Sequence, residues 1–446
     1  MPTSSQPTAI QQTVQEGGVG QDLGVSSSGR SQDSLQPRAQ SSTTNPDGTT
    51  AESAEGGESA GGASGGGEGG SEGLSFFDLA GGSRNPFRIS GSIREGYDDN
   101  TNTSKTNRVG SFFTNLAAGI RYDFGSPRLR LSTNLTGGAT LYYTRPGRNL
   151  DLSAIYTLSA VYAASARLTL SISSTVGWYP QPDVGILGTS FSQQDGSYFF
   201  SSTNLAANYQ WARRFSTTTA YTFRALSYAD AGLQAEQGNM SQTLSQSFNF
   251  ELWPTTTLVA EYRANVITYY EADLDSFGNY ALLGFNHVFN PRSRWNLRAG
   301  LEQRFNNNTI DGESLYLGPF FESVALYRFT SRSEIAWSAR YGTEQSGLDN
   351  VTQRQTFRTG LSVSHGFTGR LSGNAGIFYS VNYYDQPNVI PDYFQNVAQL
   401  NLGLRYTVNR FLSLSAGYQF TGVLARQEPD QEYYRNIIFL GLNTNF

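Results

Sequence analysis

Cysteine is absent from this chain of 446 residues, which excludes disulfides, thiolate catalysis and zinc–thiolate sites. Long apolar runs are missing too. With a mean hydropathy of -0.41, no stretch approaches the about 18 apolar residues that a membrane-crossing helix requires, so a helical membrane protein is excluded. Strands that cross a membrane alternate in polarity and leave no such run. Charge is sparse, at 15% of residues, and the net charge is -5, which argues against nucleic acid as a partner. Only two histidines, His287 and His365, are present. A lipase-type site would need a Ser and a His facing lipid at the outer leaflet, whereas both histidines lie beside short turns, where interfacial packing is the expected role. The acidic groups Asp98 with Asp99, and Glu271, Asp273 and Asp275, lack the spacing and glycine of a calcium loop. With no phosphate-binding loop and no metal-ligand cluster, the expectation is a non-enzyme without a cofactor.

What the chain has in quantity is Phe (28), Tyr (26) and Gly (48), arranged with period two. Leu129, Leu131, Leu135, Ala139, Leu141 and Tyr143 alternate with Arg130, Ser132, Asn134, Thr136 and Thr140. Leu168, Leu170, Ile172, Val176 and Trp178 alternate in the same way with Thr169, Ser171, Ser173 and Thr175. Leu400, Leu402, Leu404, Tyr406 and Val408 stand against Gln399, Asn401, Arg405 and Thr407. Period two gives each strand one apolar and one polar face. About eighteen such segments, each of roughly thirteen to seventeen residues, run from Phe87 to Phe446; they predict a closed, antiparallel, up-and-down transmembrane β-barrel of all-β class.

Charge placement sharpens this reading, because an Arg on the lipid face near the bilayer midplane costs roughly 2–4 kcal/mol. When Leu, Val and the aromatics define the outer face, Arg94, Arg121, Arg130, Arg224, Arg263, Arg298, Arg304, Arg328, Arg340, Arg358 and Arg405 all take the inner parity. Random placement would divide them about evenly. Asp123, Glu251, Glu261, Glu302, Glu322 and Glu334 follow them inward. The arginines, with Glu261, Glu302 and Glu322, are therefore pore-lining candidates. They are suited either to attracting anionic solutes or, as ordinary cross-strand ion pairs, to stiffening the wall.

The connections alternate in length. Short turns are expected at Gly125 to Arg128, Ser165 to Ala166, Arg213 to Arg214, Pro254 to Thr256, Asn290 to Ser293, Ser331 to Ser333, Thr368 to Arg370 and Asn409 to Arg410. Longer ones span Asn100 to Arg108, Pro180 to Gly196, Asp230 to Met240 and Asn306 to Glu313. Outer-membrane barrels put short turns in the periplasm and long loops outside. The connection from Pro180 to Gly196 is long enough to constrict the bore. Outward aromatics near the short turns, among them Tyr122, Phe124, Tyr209, Trp211, Phe289, Tyr327 and Phe367, match a periplasmic girdle. Trp178, Phe199, Tyr270 and Tyr383 supply an outer one. Tyr142, Tyr179 and Tyr384, on the inner parity, are candidates for stacking on sugar rings.

Residues 1–84 are another material, rich in Ser, Gly, Gln and Thr, with too few apolar groups to offset the entropy of ordering. They are expected to be a disordered periplasmic tail or linker, with the barrel over 85–446. The first thirty residues show neither the basic start nor the apolar core of a secretory signal, so the signal is expected upstream or already removed.

The chain ends in Phe439-Leu440-Gly441-Leu442-Asn443-Thr444-Asn445-Phe446, which resembles the carboxy-terminal assembly signal read by the barrel-assembly machinery, with Phe446 as its aromatic. Taken with Gly96-Tyr97-Asp98-Asp99-Asn100 and with Asn409-Arg410-Phe411-Leu412-Ser413-Leu414 running to Tyr418, the chain resembles a family of outer-membrane β-barrel porins often linked to exopolysaccharide gene clusters. That resemblance implies a passive or export-associated pore in a Gram-negative outer membrane, in contact with lipids and lipopolysaccharide and passing small hydrophilic solutes or polysaccharide. It implies no catalytic residues. The rival reading is a plugged barrel serving as a surface receptor or as the anchor of an exopolysaccharide export machine. A soluble β-propeller is a third, since hairpins recur about every forty residues. No flat subunit-facing patch marks an oligomer.

Overall fold

The computed structural model describes residues 86–147, 149–180, 197–272, 274–308, 312–344, 353–385, 393–425 and 432–446. The tail, and the expected constriction from Pro180 to Gly196 apart from its first residue, lie outside the described residues. Eighteen strands follow one another: β1 (Phe87–Asp98), β2 (Ser111–Gly125), β3 (Leu129–Tyr142), β4 (Leu150–Ala163), β5 (Leu168–Tyr179) and β6 (Tyr198–Ala212). Next come β7 (Phe215–Tyr228), β8 (Asn239–Trp253), β9 (Thr256–Tyr269), β10 (Ser276–Asn290), β11 (Ser293–Asn308) and β12 (Gly312–Thr330). The series ends with β13 (Ser333–Glu344), β14 (Gln353–Gly366), β15 (Leu371–Asp385), β16 (Tyr393–Thr407), β17 (Leu412–Ala425) and β18 (Tyr433–Asn445).

Every strand pairs antiparallel with its neighbours in sequence, and β1 pairs with both β2 and β18, so the 18-stranded sheet closes on itself. Closure leaves no lateral edge to be satisfied by lipid, which cannot hydrogen-bond. A propeller of separate blades is ruled out by this single sheet. Each expected short turn falls where a hairpin closes, and its side chains show why. Ser126, Ser165, Asn290, Thr330, Thr368 and Asn409 each accept a hydrogen bond from a backbone N–H two or three residues on, the local bonding that makes these residue types turn formers.

The apolar parity faces out. Leu283 is 70% exposed, and Leu440, Leu317 and Phe112 are similarly bare, as a surface meant for hydrocarbon must be. Among the described residues a short helix, α1 (Ala231–Gln237), interrupts the expected loop between β7 and β8. Its Gln234 accepts hydrogen bonds from Ser227 Oγ and the Tyr228 N–H, which caps the end of β7.

Candidate functional site in the barrel interior

The inward charges do not stand singly. Arg263 on β9 donates both Nη atoms to the two carboxylate oxygens of Glu322 on β12, at 2.7 and 3.1 Å. Since β10 and β11 lie between those strands, the pair can meet only across the concave face. Arg263 Nε is 2.6 Å from Glu261, and Glu261 is 3.5 Å from Arg298. Arg298 also donates to the carbonyls of Phe285 and Leu297 and to Asn286. Phe320, almost wholly buried, lies beneath two cations, with Arg263 and Arg340 at 5.6 and 5.4 Å from its ring centroid. Tyr280 meets it edge-on at 5.2 Å, an arrangement that suits the ring's quadrupole.

A second cluster adjoins the first. Arg304 is 2.8 Å from Glu302, and Arg304 and Glu302 each bond the Tyr280 hydroxyl at 2.9 Å. The same two side chains reach β13: the Thr343 N–H donates to Glu302 Oε2 at 2.9 Å, and Arg304 Nη2 donates to the Thr343 carbonyl at 2.9 Å. Glu302 is 0% exposed, which is tolerable for a carboxylate only because it is paired and multiply hydrogen-bonded.

The remaining candidates lie on the same face but apart from these clusters. Arg121 pairs with Asp123, which also accepts from Ser132. Arg328 pairs with Glu334, Arg405 donates to Ser413, and Arg94 lies over Phe439. Arg358 stands directly opposite Arg340 of the first cluster, across β13 and β14. Arg224 lies between Ser202 and Ser241 in register, Arg130 lies opposite Val161 and Gly125 near the short-turn end, and Glu251 faces Thr257. Phe446 is exposed on the outside, stacks on Phe411, and exchanges backbone hydrogen bonds with Ile89.

Parity reasoning passed over several residues of equal standing. Asp98 is fully buried and takes a three-bond contact from Arg435, while Asp99 accepts from the backbone and side-chain nitrogens of Asn436. These acids belong to the β1–β18 seam. Arg145 pairs with Asp151 and lies 4.3 Å over the ring of Tyr142. Arg354 is buried on the same parity as Arg358, and the inward count could have found it. Glu95, in contrast, takes the outward parity and accepts from Thr114 Oγ1 at 2.7 Å.

The inward tyrosines differ from the expectation of sugar-stacking platforms. Tyr179 stacks on Tyr198 at 5.2 Å within a buried cluster containing Ile155, Leu226 and Tyr228, and Tyr142 is covered by Arg145. Their faces are already occupied by neighbours. The side chain of Tyr384 lies outside the described residues. The histidines sit among Phe289, Phe329 and Phe367 at the short-turn rim, where His287 bonds Thr256 and His365 bonds Ser333. Among the described residues, no group of three potential metal-ligating side chains occurs.

Exposure along the interior differs between the two ends. At the long-loop end the inward residues Asp98, Phe113, Tyr179, Tyr198, Tyr269, Arg304, Arg354, Asn382, Gln395, Val423 and Tyr433 are all buried. Towards the short turns burial is mixed: Ser132, Ser216, Thr257, Glu334 and Ser413 are buried, whereas Arg121, Arg130, Thr169, Asn208, Thr218 and Asn286 remain partly open.

No protein-family model and no curated protein matches the chain. Solved structures do resemble it. One is OccK2 (OpdF) of Pseudomonas aeruginosa in complex with glucuronate, with a TM-score of 0.46 and 11% identity over 81% of this chain and 98% of that one. Another is the outer membrane protein OpdK of the same organism, with a TM-score of 0.43 and 11% identity over 81% and 98%. The FrpB iron transporter of Neisseria meningitidis gives 0.43 and 9% over 83% and 84%.

Proposed function

We propose that this chain is a porin of a Gram-negative outer membrane, in which hydrophilic solutes pass through a water-filled lumen. The observation that carries the reading is the division of surfaces: a closed sheet, bare apolar side chains outside, and clustered arginines and carboxylates within. Barrels of sixteen to eighteen strands are wide enough to leave an aqueous channel. Lumen arginines favour anionic solutes, acidic polysaccharide included. Arg263, Arg298 and Arg304 also have a structural task, since each is paired with a glutamate. In this reading residues 1–84 lie in the periplasm, the outward face meets lipid and lipopolysaccharide, and Phe446 is presented to the barrel-assembly machinery.

A second reading, the plugged barrel acting as a receptor or as an export anchor, is favoured by the buried inward residues at the long-loop end. Planar-bilayer recording separates the two. The porin reading expects discrete conductance steps with anion preference; silence in every salt leaves the plugged barrel. Removal of residues 1–84 should leave the conductance unchanged, whereas an anchoring role carried by the tail would be lost.

A further inference from the structure

The short turns share a composition that closing a hairpin does not require. Of the eight turns at that end, all but Pro254-Thr255 carry an arginine, and none carries Asp or Glu. Acids gather instead at the other rim, among them Asp98, Asp99, Asp230 and Asp275. The arginines also keep a fixed relation to the aromatic girdle. Trp211 and Arg214, Phe289 and Arg292, Phe329 and Arg332, and Phe367 and Arg370 are each three residues apart, the ring on the outward parity of a strand and the arginine in the turn that follows. Phe124 precedes Arg128 and Tyr162 precedes Arg167 at slightly wider spacing, and Arg410 is followed at once by Phe411.

Trp211, Phe289 and Phe367 are more than half exposed on the outside, as rings at the boundary between hydrocarbon and headgroups are. An arginine one turn beyond such a ring lies at the level of the lipid phosphates, where its stem covers apolar surface and its guanidinium stays wet. Arg410 shows the arrangement: it lies 4.5 Å over Phe411, which stacks on Phe446 at the outer surface. All the turn arginines are exposed, and among the described residues none has an ion pair, unlike Arg263, Arg298 and Arg304 inside the barrel. Successive turns are two strands apart, so at about 4.8 Å per strand their arginines are roughly 10 Å from one another, beyond the screening length of about 8 Å. Cations so spaced do not form a pocket for one small anion. They match a surface made of many phosphates, one to each turn.

We infer that the short-turn rim is a binding surface for anionic phospholipid headgroups, each aromatic ring fixing the depth of its turn and each arginine drawing a headgroup to it. The surface enriches anionic lipid in the leaflet that meets the short turns and holds the barrel at a set height. This inference rests on the membrane reading of the outward face and not on an open lumen.

Trp211, Trp253 and Trp295 stand at the short-turn end and report the lipid beside them. The full chain in phosphatidylcholine vesicles is given a minor fraction of brominated phosphatidylglycerol or brominated phosphatidylcholine, and the quenching of tryptophan is compared. In about 0.01 M salt the anionic lipid should quench as though enriched about 5-fold, the factor that one basic residue near an anionic surface supplies, and about 1 M salt should remove the difference. Arg213→Gln, Arg214→Gln, Arg292→Gln, Arg332→Gln and Arg370→Gln in one chain should bring the ratio toward unity, and lysine at those positions should largely preserve it. Equal quenching in the unaltered chain overturns the inference, as does a preference that survives in the folded glutamine chain. Should that chain not fold, a preference in the unaltered chain that ignores salt overturns it equally. Loss of the preference to inorganic phosphate at constant ionic strength marks a soluble-anion site and overturns the assignment to lipid. A chain that enters neither kind of vesicle removes the membrane reading, and the surface falls with it, whereas a preference for the anionic lipid in a barrel that conducts nothing supports the surface without the pore.

Discussion

Leu282 and Leu283 are chain neighbours with opposite surroundings, one buried against Tyr280 and Phe320 and the other 70% exposed on the outside. The pleat alone separates them, so a substitution should be read by parity before chemistry. Leu283→Arg, halfway along β10, is expected to cost about 2–4 kcal/mol in a bilayer. Ser173→Arg, exposed on the inward parity of β5, should stay within about 0.5 kcal/mol. Urea titrations of both variants in lipid vesicles make the comparison, and equal losses would deny that the two faces differ. The Arg263–Glu322 pair offers a second test at this scale. Glu322→Ala leaves a buried guanidinium without its bidentate partner, which should lower stability by about 3–5 kcal/mol in the same titration.

Among the elements, the seam between β1 and β18 has a task the other pairings lack, since the barrel is sealed there by strands at opposite ends of the chain. Its ladder runs from Asp98↔Ile437 to Ser90↔Asn445. It is fastened at one end by Phe446 on Ile89 and at the other by Asp98 on Arg435 and Asp99 on Asn436. Asp98→Ala should therefore weaken closure by about 1.5–3 kcal/mol, the worth of a hydrogen bond to a charged group. The heat-modifiable, folded fraction on a gel should fall, and the exchange Asp98→Arg with Arg435→Asp should recover part of it. Strands, turn positions and inward arginines were legible in the sequence because a pleat imposes its period on every residue, and because Ser, Thr and Asn close turns by local bonds. The segment Gly96 to Asn100 stood out as a motif, but its role was not legible, since Arg435 and Asn436 lie more than three hundred residues away. The contact of Glu302 and Arg304 with the Thr343 backbone was hidden for a related reason. Glu302 and Arg304 show only an inward parity, and nothing near them in the chain announces Thr343. Tyr179 misled because inward parity was taken for access to solvent, whereas Tyr198 and Tyr228 fill the space around it.

For the whole molecule, the crowded long-loop end of the interior sets an expectation for transport. On the porin reading, access from the short-turn side meets Arg121, Arg130 and Thr218 in partly open positions, and passage is expected to be limited at the long-loop end, where Asp98, Tyr198, Arg354 and Gln395 are buried. Reversing the charge of a residue at the short-turn end, as in Arg130→Glu, should shift the reversal potential under a salt gradient toward cations while leaving the size of the conductance step nearly unchanged. Both follow if the constriction lies elsewhere. The central claim is older than any transport question: one face of every strand meets hydrocarbon and the other does not. Single cysteines placed in turn from Gly278 to Asn286, labelled with a fluorophore in vesicles and challenged with a lipid-borne quencher, test it most directly. Strong quenching at 279, 281, 283 and 285 with protection at 278, 280, 282, 284 and 286 is the expected result, and quenching without a period of two would contradict it.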